Sequence, residues 1–202
     1  MNQSTTNDIS QLLALARSGD PIAIGQLLGE YRGYLSVLAR LQADRRLQAK
    51  FDASDAVQET LLHAHCHFDQ FHGNSERELL AWLRRILSNE FTTLMRRYAG
   101  TQRRDIGREE DLRAEFDRSS QSLTQVAVSQ LSSPSHAAIR REQGVLVANA
   151  LEQLRKDYRE VIVLRSVLGL PVAEVARRMA RSPGNVEQLW LRALVSLRRT
   201  LE

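Results

Sequence analysis

Cysteine and aromatic residues are scarce in this chain of 202 residues. The single cysteine, Cys66, excludes an internal disulfide framework and is typical of a reducing compartment. Aromatic residues make up 5% of the sequence, which favours packing of helix on helix over a β-sandwich. No hydrophobic run approaches the roughly 20 residues of a membrane span, and Met1–Ser10 has no apolar signal core. We therefore expect a soluble, cytoplasmic protein of the all-α class.

Lysine is nearly absent too, since it occurs only at Lys50 and Lys156. The net charge of +4 and the pI near 9.7 are therefore due almost entirely to arginine. This bias is typical of a GC-rich coding sequence, but arginine also pairs well with phosphate and with guanine. The composition is thus compatible with nucleic-acid binding and does not by itself demonstrate it.

The apolar residues recur at helical spacing over most of the chain, and no run of strand-like alternation is evident. A short first helix precedes Asp20, which caps a second helix whose apolar pattern continues to Leu38. A third helix begins near Asp52. Ser75 and Glu78 form the pattern of a capping box, which predicts the start of a fourth helix.

The segment 101–136 has a different character from its surroundings. Its first part is charged, and Ser119–Ser135 is rich in Ser and Gln, which predicts a linker that is flexible at least in its later half. Helical periodicity resumes near Ala137. The sequence therefore predicts two helical domains, 1–100 and 137–202, that are joined by this linker.

The strongest local pattern lies between Pro171 and Leu197, where two short amphipathic helices are separated by a brief turn. This arrangement favours a helix-turn-helix, whose second helix enters the major groove of DNA. Ala180 occupies the turn, where a glycine is often found. A helical hairpin with a solvated polar face is the alternative. The candidate DNA-binding residues of this unit are Arg181, Asn185, Glu187, Gln188 and Arg192.

Motifs in both halves resemble those of the sigma-70 family of RNA polymerase sigma factors, in its extracytoplasmic-function group. The C-terminal half resembles sigma domain four in Asp157–Arg165 and Gly169–Ala176, and the N-terminal half resembles domain two. Their order, with a linker between them, is more specific than either motif alone. The segments of the N-terminal half that carry the resemblance are Asp52–Leu61, Phe68–Phe71 and Ala81–Ile86.

The resemblance implies a polymerase subunit without catalysis of its own or a cofactor, which directs promoter-specific initiation. Domain two would dock on the clamp helices of the largest polymerase subunit through Asp55, Gln58 and Glu59. It would also open the minus-ten element, with the loop Phe71–Ser75 capturing a flipped base and Asn89 lining the same pocket. The minus-ten residues implied by the resemblance are His72, Asn74, Arg84, Arg85, Asn89, Arg96 and Arg97.

Further partners follow from the same resemblance. Domain four would read the minus-thirty-five element and contact the polymerase flap, and the linker would thread toward the active centre. An anti-sigma factor is an expected regulator. Two other functions stay open at this point: a stand-alone helix-turn-helix regulator, and a polymerase-binding interaction protein without initiation activity.

A cluster of His63, His65, Cys66 and His67 suggests a metal site, since His63 and His67 are four residues apart and can share a helical face. A structural zinc site usually needs four ligands, and the sequence has no second cluster of this kind. We therefore interpret the cluster as a partly exposed helix surface and expect no metal. No glycine-rich phosphate loop or nucleophile motif is present, which argues against an enzyme.

Overall fold

The computed structural model describes residues 2–45, 52–99, 106–130 and 142–201. All regular structure within these ranges is helical, as expected for the all-α class. The chain divides into two compact units, Met1–Asp117 and Arg118–Glu202.

The first unit contains five helices and the beginning of a sixth within the described ranges. A 3₁₀ turn at Phe68–Gln70 follows the fourth helix. The helices are α1 (Asn2–Arg17), α2 (Pro21–Glu30), α3 (Arg32–Arg45), α4 (Ala53–Cys66), α5 (Glu76–Ala99) and α6 (Ile106–Gln130).

The boundaries of the early helices follow from their capping residues. Gly19 adopts φ +89° after α1, a left-handed conformation that glycine adopts without steric cost. The Asp20 carboxylate accepts a hydrogen bond of 2.9 Å from the Ile22 N–H, as predicted for an N-cap. The predicted second helix is, however, interrupted at Tyr31. Gly29 and Gly33 on either side lower helix propensity at this point.

The core of the first unit lies among α2, α3, α4 and α5. The hydroxyl group of buried Tyr31 donates a hydrogen bond of 3.0 Å to the Glu76 carboxylate at the start of α5. This contact links the break between α2 and α3 to the beginning of α5. The largest fully buried side chains here are Tyr31, Tyr34, Leu27, Leu35, Leu38, Leu41, Leu79, Leu83, Leu87 and Phe91.

Helix α6 is the main departure from the sequence analysis, which predicted a flexible linker over much of its length. The helix runs to Gln130. Its apolar residues recur at helical spacing and are buried, a pattern that the abundance of Ser and Gln concealed. Residues 131–136 of the predicted linker lie outside the described ranges. The boundary between the two units falls within α6. The buried apolar residues of α6 are Leu112, Phe116, Leu123 and Val126.

The second unit consists of the end of α6 and four further α-helices within the described ranges. A single π-helical turn at Val163–Val167 continues from the second of them. The four helices are α7 (Glu142–Gln153), α8 (Lys156–Ile162), α9 (Val172–Arg178) and α10 (Pro183–Leu201).

The π-helical turn supports α10 through Trp190. The indole Nε1 donates a hydrogen bond of 3.0 Å to the Ser166 hydroxyl. The guanidinium carbon of Arg165 lies 4.7 Å from the centroid of the Trp190 ring, in cation–π contact. Two neighbouring residues of the turn therefore hold the same side chain of α10.

Helices α9 and α10 form the predicted helix-turn-helix pair. Helix α9 ends in a Schellman motif, in which the Arg181 N–H donates to the Ala176 carbonyl at 2.9 Å and the Ala180 N–H to the Arg177 carbonyl. Ala180 adopts φ +51°, the left-handed conformation that this motif requires. The same motif ends α1, where Gly19 occupies the equivalent position.

Candidate nucleic-acid interface

The N-terminal half of α10 presents the predicted DNA-reading residues to solvent. The Ser182 hydroxyl accepts a hydrogen bond of 3.3 Å from the Asn185 N–H and so caps the helix. The opposite face, with Val186, Ala193 and Leu197, is fully buried. The structure brings four predicted residues to the outward side, namely Asn185, Glu187, Gln188 and Arg192, all exposed.

Arg181 is held in place within the second unit. Its Nη2 lies 2.5 Å from the Asp157 carboxylate, near the start of α8. Because 38% of the Arg181 side chain and 47% of Asp157 are exposed, this ion pair is partly screened by water. The pair places the guanidinium beside the turn of the helix-turn-helix.

A second polar surface lies on α4. The Asp52 carboxylate accepts a hydrogen bond of 2.9 Å from the Ser54 N–H, which lowers the pKa of Asp52 and caps the helix. One turn along, Asp55, Gln58 and Glu59 are all exposed. Leu62 follows Glu59 and Gln58 at i+3 and i+4 spacing and is 61% exposed. This apolar residue at the C-terminal end of the surface was not singled out in the sequence, because a leucine on an amphipathic helix is normally assigned to the core.

The loop from Phe71 to Ser75 rests directly on an aromatic ring. A Cβ atom at Gly73 would lie 2.5 Å from Cζ of Phe71 and 2.8 Å from Cβ of Glu78. The Phe71 ring itself packs on Trp82, with 5.3 Å between the ring centroids. Only glycine allows this close approach, so Gly73 sets the path of the loop. His72 and Asn74 flank it and are exposed.

The predicted capping box holds the end of this loop. The Ser75 hydroxyl donates a hydrogen bond of 2.5 Å to Oε2 of Glu78, and the Asn74 N–H donates to the same oxygen at 3.1 Å. These two bonds lower the pKa of Glu78, the one from the Ser75 side chain most. Residues 74 and 75 are thereby fixed to the first turn of α5.

Asn89 lies on the helix that follows the loop, and it is exposed. Trp82, on which Phe71 of the loop packs, lies seven residues before Asn89 on α5. At about 1.5 Å per residue this is about 10 Å along the helix. The base pocket shared by the loop and Asn89 stays a prediction.

The four predicted phosphate-binding arginines differ in their surroundings. Nε of Arg84 donates a hydrogen bond of 2.6 Å to Asp117, and its Nη1 donates one of 3.2 Å to the Tyr34 hydroxyl. Its side chain is only 18% exposed, so Arg84 faces α3 and α6 and not the surface. Arg85 and Arg97 are exposed, and Arg96 is half-buried.

Family comparisons identify the chain. Residues 31–101 match the model described as Sigma-70 region 2, and residues 145–197 match the one described as Sigma-70, region 4. The two matches together cover more than half of the chain and follow the order predicted from the motifs. The chain belongs to the sigma-70 family.

Individual relatives of this sigma factor cover nearly its whole length. The ECF RNA polymerase sigma factor SigM of Mycobacterium tuberculosis is 28% identical over 95% of this chain and 84% of its own. The ECF RNA polymerase sigma-E factor of Escherichia coli is 27% identical over 96% and 93%. The structure of CnrH in complex with the cytosolic domain of CnrY shares 28% identity, with 93% of each chain covered and a TM-score of 0.36.

The protein is thus an RNA polymerase sigma factor of the extracytoplasmic-function group and directs transcription initiation. Sigma factors are not catalytic enzymes. This agrees with the lack of catalytic motifs in the sequence.

The histidine cluster on α4 was the candidate metal site of the sequence. His63 contacts Glu90 at 3.1 Å and packs on His67 with 4.6 Å between ring centroids. In the ranges that the structure describes, His, Cys, Asp and Glu side chains form no group of three or more that could hold a metal ion. None of the helices in the same ranges is both long and apolar enough to cross a bilayer.

Proposed function

We propose that this sigma factor divides promoter recognition between a domain two of residues 1–100 and a domain four of residues 137–202. Residues 101–136 connect them, and α6 occupies most of this connection. In this division, domain two binds core polymerase and opens the minus-ten element, and domain four reads the minus-thirty-five element as duplex.

The observation that carries this proposal is the exposed N-terminal half of α10. Asn and Gln side chains pair with adenine, Arg with guanine, and Glu with cytosine. Asn185, Gln188, Arg192 and Glu187 supply all three chemistries on one capped helix whose other face is buried. Such a helix can enter the major groove without disturbing the packing of its unit.

Polymerase binding is assigned to the exposed face of α4. Asp55, Gln58 and Glu59 provide polar and acidic groups that can meet the clamp helices of the largest subunit. Leu62 adds an exposed apolar side chain at one end of this face, and protein interfaces combine apolar with polar groups. The polymerase flap is the proposed second contact, with domain four.

The minus-ten element is assigned to domain two. His72 and Asn74, on the loop shaped by Gly73, hydrogen-bond one unpaired base, and Asn89 on α5 lines the same pocket. Arg85, Arg96 and Arg97 contact phosphates, which contributes affinity more than sequence choice. Arg84 is left out of this set because its guanidinium is engaged inside the unit.

The remaining assignments concern the setting in which the factor acts. We place it in the bacterial cytoplasm, where core polymerase and promoter DNA are its partners. Regulation by an anti-sigma factor stays a prediction from the family resemblance.

The test is run-off transcription with purified bacterial core polymerase and promoter fragments from the source genome. Replacing Arg192 with Ala should weaken binding to the upstream duplex by about tenfold, which is the size expected for one base contact. Binding to core polymerase should stay the same. The matched control is Arg199→Ala, since Arg199 is exposed but lies at the opposite end of α10.

Leu62→Asp should give the opposite result, with weaker polymerase binding and unchanged affinity for the upstream duplex. Equal loss of both activities in either variant would contradict the division of roles. Specific duplex binding with no protein-dependent transcript would instead favour a role without initiation.

A further inference from the structure

Two large apolar side chains are exposed on the outward face of α10. Leu191 is 57% exposed and Val195 is 55% exposed. They are four residues apart and therefore neighbours on the helix surface. In the described part of the second unit, Leu146 is the other large hydrophobic residue that is exposed, at 37%. The outward face of α10 therefore carries apolar surface that the packing of its own unit leaves in water.

Leu191 lies beside the proposed base-reading residues. Gln188 and Glu187 precede it by three and four residues, so all three side chains share one side of α10. Helical side chains lean toward the helix N-terminus and cover the preceding turn. The isobutyl group of Leu191 is thus directed toward the turn that holds Glu187 and Gln188.

The position of Leu191 along α10 suits contact with bases, whereas that of Val195 does not. Leu191 is eight residues from Pro183, or about 12 Å along the axis. Val195 is twelve residues away, or about 18 Å. Since the major groove is about 12 Å wide and a recognition helix reads bases with its N-terminal residues, Leu191 lies within its reach.

The major groove presents one apolar group to a protein, the C5-methyl of thymine. Resting on the proposed upstream-duplex role of α10, we propose that Leu191 is a specificity-determining residue that packs against a thymine C5-methyl in the minus-thirty-five element. This contact removes the leucine side chain and the thymine methyl from water. It adds a preference for thymine at one position to the base preferences of the neighbouring polar residues. Val195 does not take part in this discrimination.

The proposal is tested by deleting the methyl group from the DNA. A promoter duplex is first selected from a randomised upstream element with the full-length protein bound to core polymerase. Each thymine of the selected element is then replaced in turn by deoxyuridine, which lacks only the C5-methyl. The affinity of the same holoenzyme for the duplex should fall about fourfold when one or two particular thymines are replaced, as expected for the loss of one buried methyl-sized group.

The variants decide which side chain reads the methyl. Leu191→Ala should bind the thymine duplex about as weakly as the wild type binds the deoxyuridine duplex, and should no longer distinguish the two. Val195→Ala is the matched control, of nearly equal exposure, and should retain the difference. Circular dichroism of both variants checks that the helix is intact.

Several results would overturn the proposal. Specific upstream binding by the wild type with no deoxyuridine effect at any thymine would exclude a methyl contact and leave the proposed function standing. Persistence of the effect in Leu191→Ala, or its loss in Val195→Ala, would assign the contact to another residue. Weaker polymerase binding by Leu191→Ala with retained discrimination would show that Leu191 faces a protein. If the wild type showed no specific upstream binding at all, the proposed function itself would fail.

Discussion

Replacing Ala180 with Gly should stabilise the second unit. Ala180 is exposed and adopts φ +51° at the end of α9, a left-handed conformation in which its Cβ crowds the backbone. The left-handed conformation costs an L-residue about 1–2 kcal/mol. Glycine removes this cost. It also raises the conformational entropy of the unfolded chain, which lowers the free energy of unfolding by about 0.4–1 kcal/mol and so offsets part of the gain. We therefore expect a net stabilisation of about 0.5–1 kcal/mol.

The chain contains a convenient probe for this measurement. Its two tryptophans lie in different units, Trp82 in the first and Trp190 in the second. In a Trp82→Phe background, the fluorescence of Trp190 follows unfolding of the second unit alone within the full-length protein. The midpoint of urea unfolding should rise in Ala180→Gly, with the slope unchanged.

An opposite change at a neighbouring alanine provides the control. Ala173 is exposed and lies in the first turn of α9, so Ala173→Gly should lower the midpoint of the same unit slightly, because glycine has a lower helix propensity than alanine. If Ala180→Gly lowered the midpoint as Ala173→Gly does, the turn would not be strained and the reasoning would be wrong.

Two further predictions concern the first unit. Gly73→Ala should impair promoter opening, because the Cβ of the new alanine would clash with Phe71 and displace the loop. Opening is measured by the permanganate reactivity of unpaired thymines, and unaltered opening would show that the shape of the loop is unimportant. Arg84→Met should destabilise the first unit by about 1–2 kcal/mol and increase amide exchange near Asp117, because it removes the hydrogen bonds to Asp117 and Tyr34. If Arg84→Met instead reduced the salt dependence of promoter binding by about one phosphate contact without loss of stability, Arg84 would contact DNA.

Features set by local chemistry were predictable from the sequence. Asp20, Asp52 and Ser75 each cap the helix that their positions predict. A short side chain that bonds to nearby backbone acts within a few residues, so its role needs no knowledge of the fold. The helix-turn-helix was predictable for the same reason, since its signal lies within 27 residues of continuous sequence.

Features that depend on distant residues were not predictable. The packing of Phe116 against Phe91, with 5.8 Å between ring centroids, makes part of the presumed linker a helix of the first unit. The composition of that segment does not indicate that Phe91 is its packing partner. Arg84 looks like its neighbour Arg85 in sequence, and only the position of Asp117 on α6 turns it inward.

The π-helical turn at Val163–Val167 bears on how chain length can vary in this protein. The Leu168 N–H bonds to the Val163 carbonyl, five residues back at 2.9 Å, so this turn holds one residue more than an α-helical turn does. Deleting one residue here would convert the turn to α geometry and would change the positions of Arg165 and Ser166, which contact Trp190 of α10. We therefore expect a one-residue gap at this point to weaken the support of α10, whereas a gap inside α10 would rotate every later side chain by about 100°. The extra residue of the turn is thus what brings two side chains of one segment onto the same indole ring.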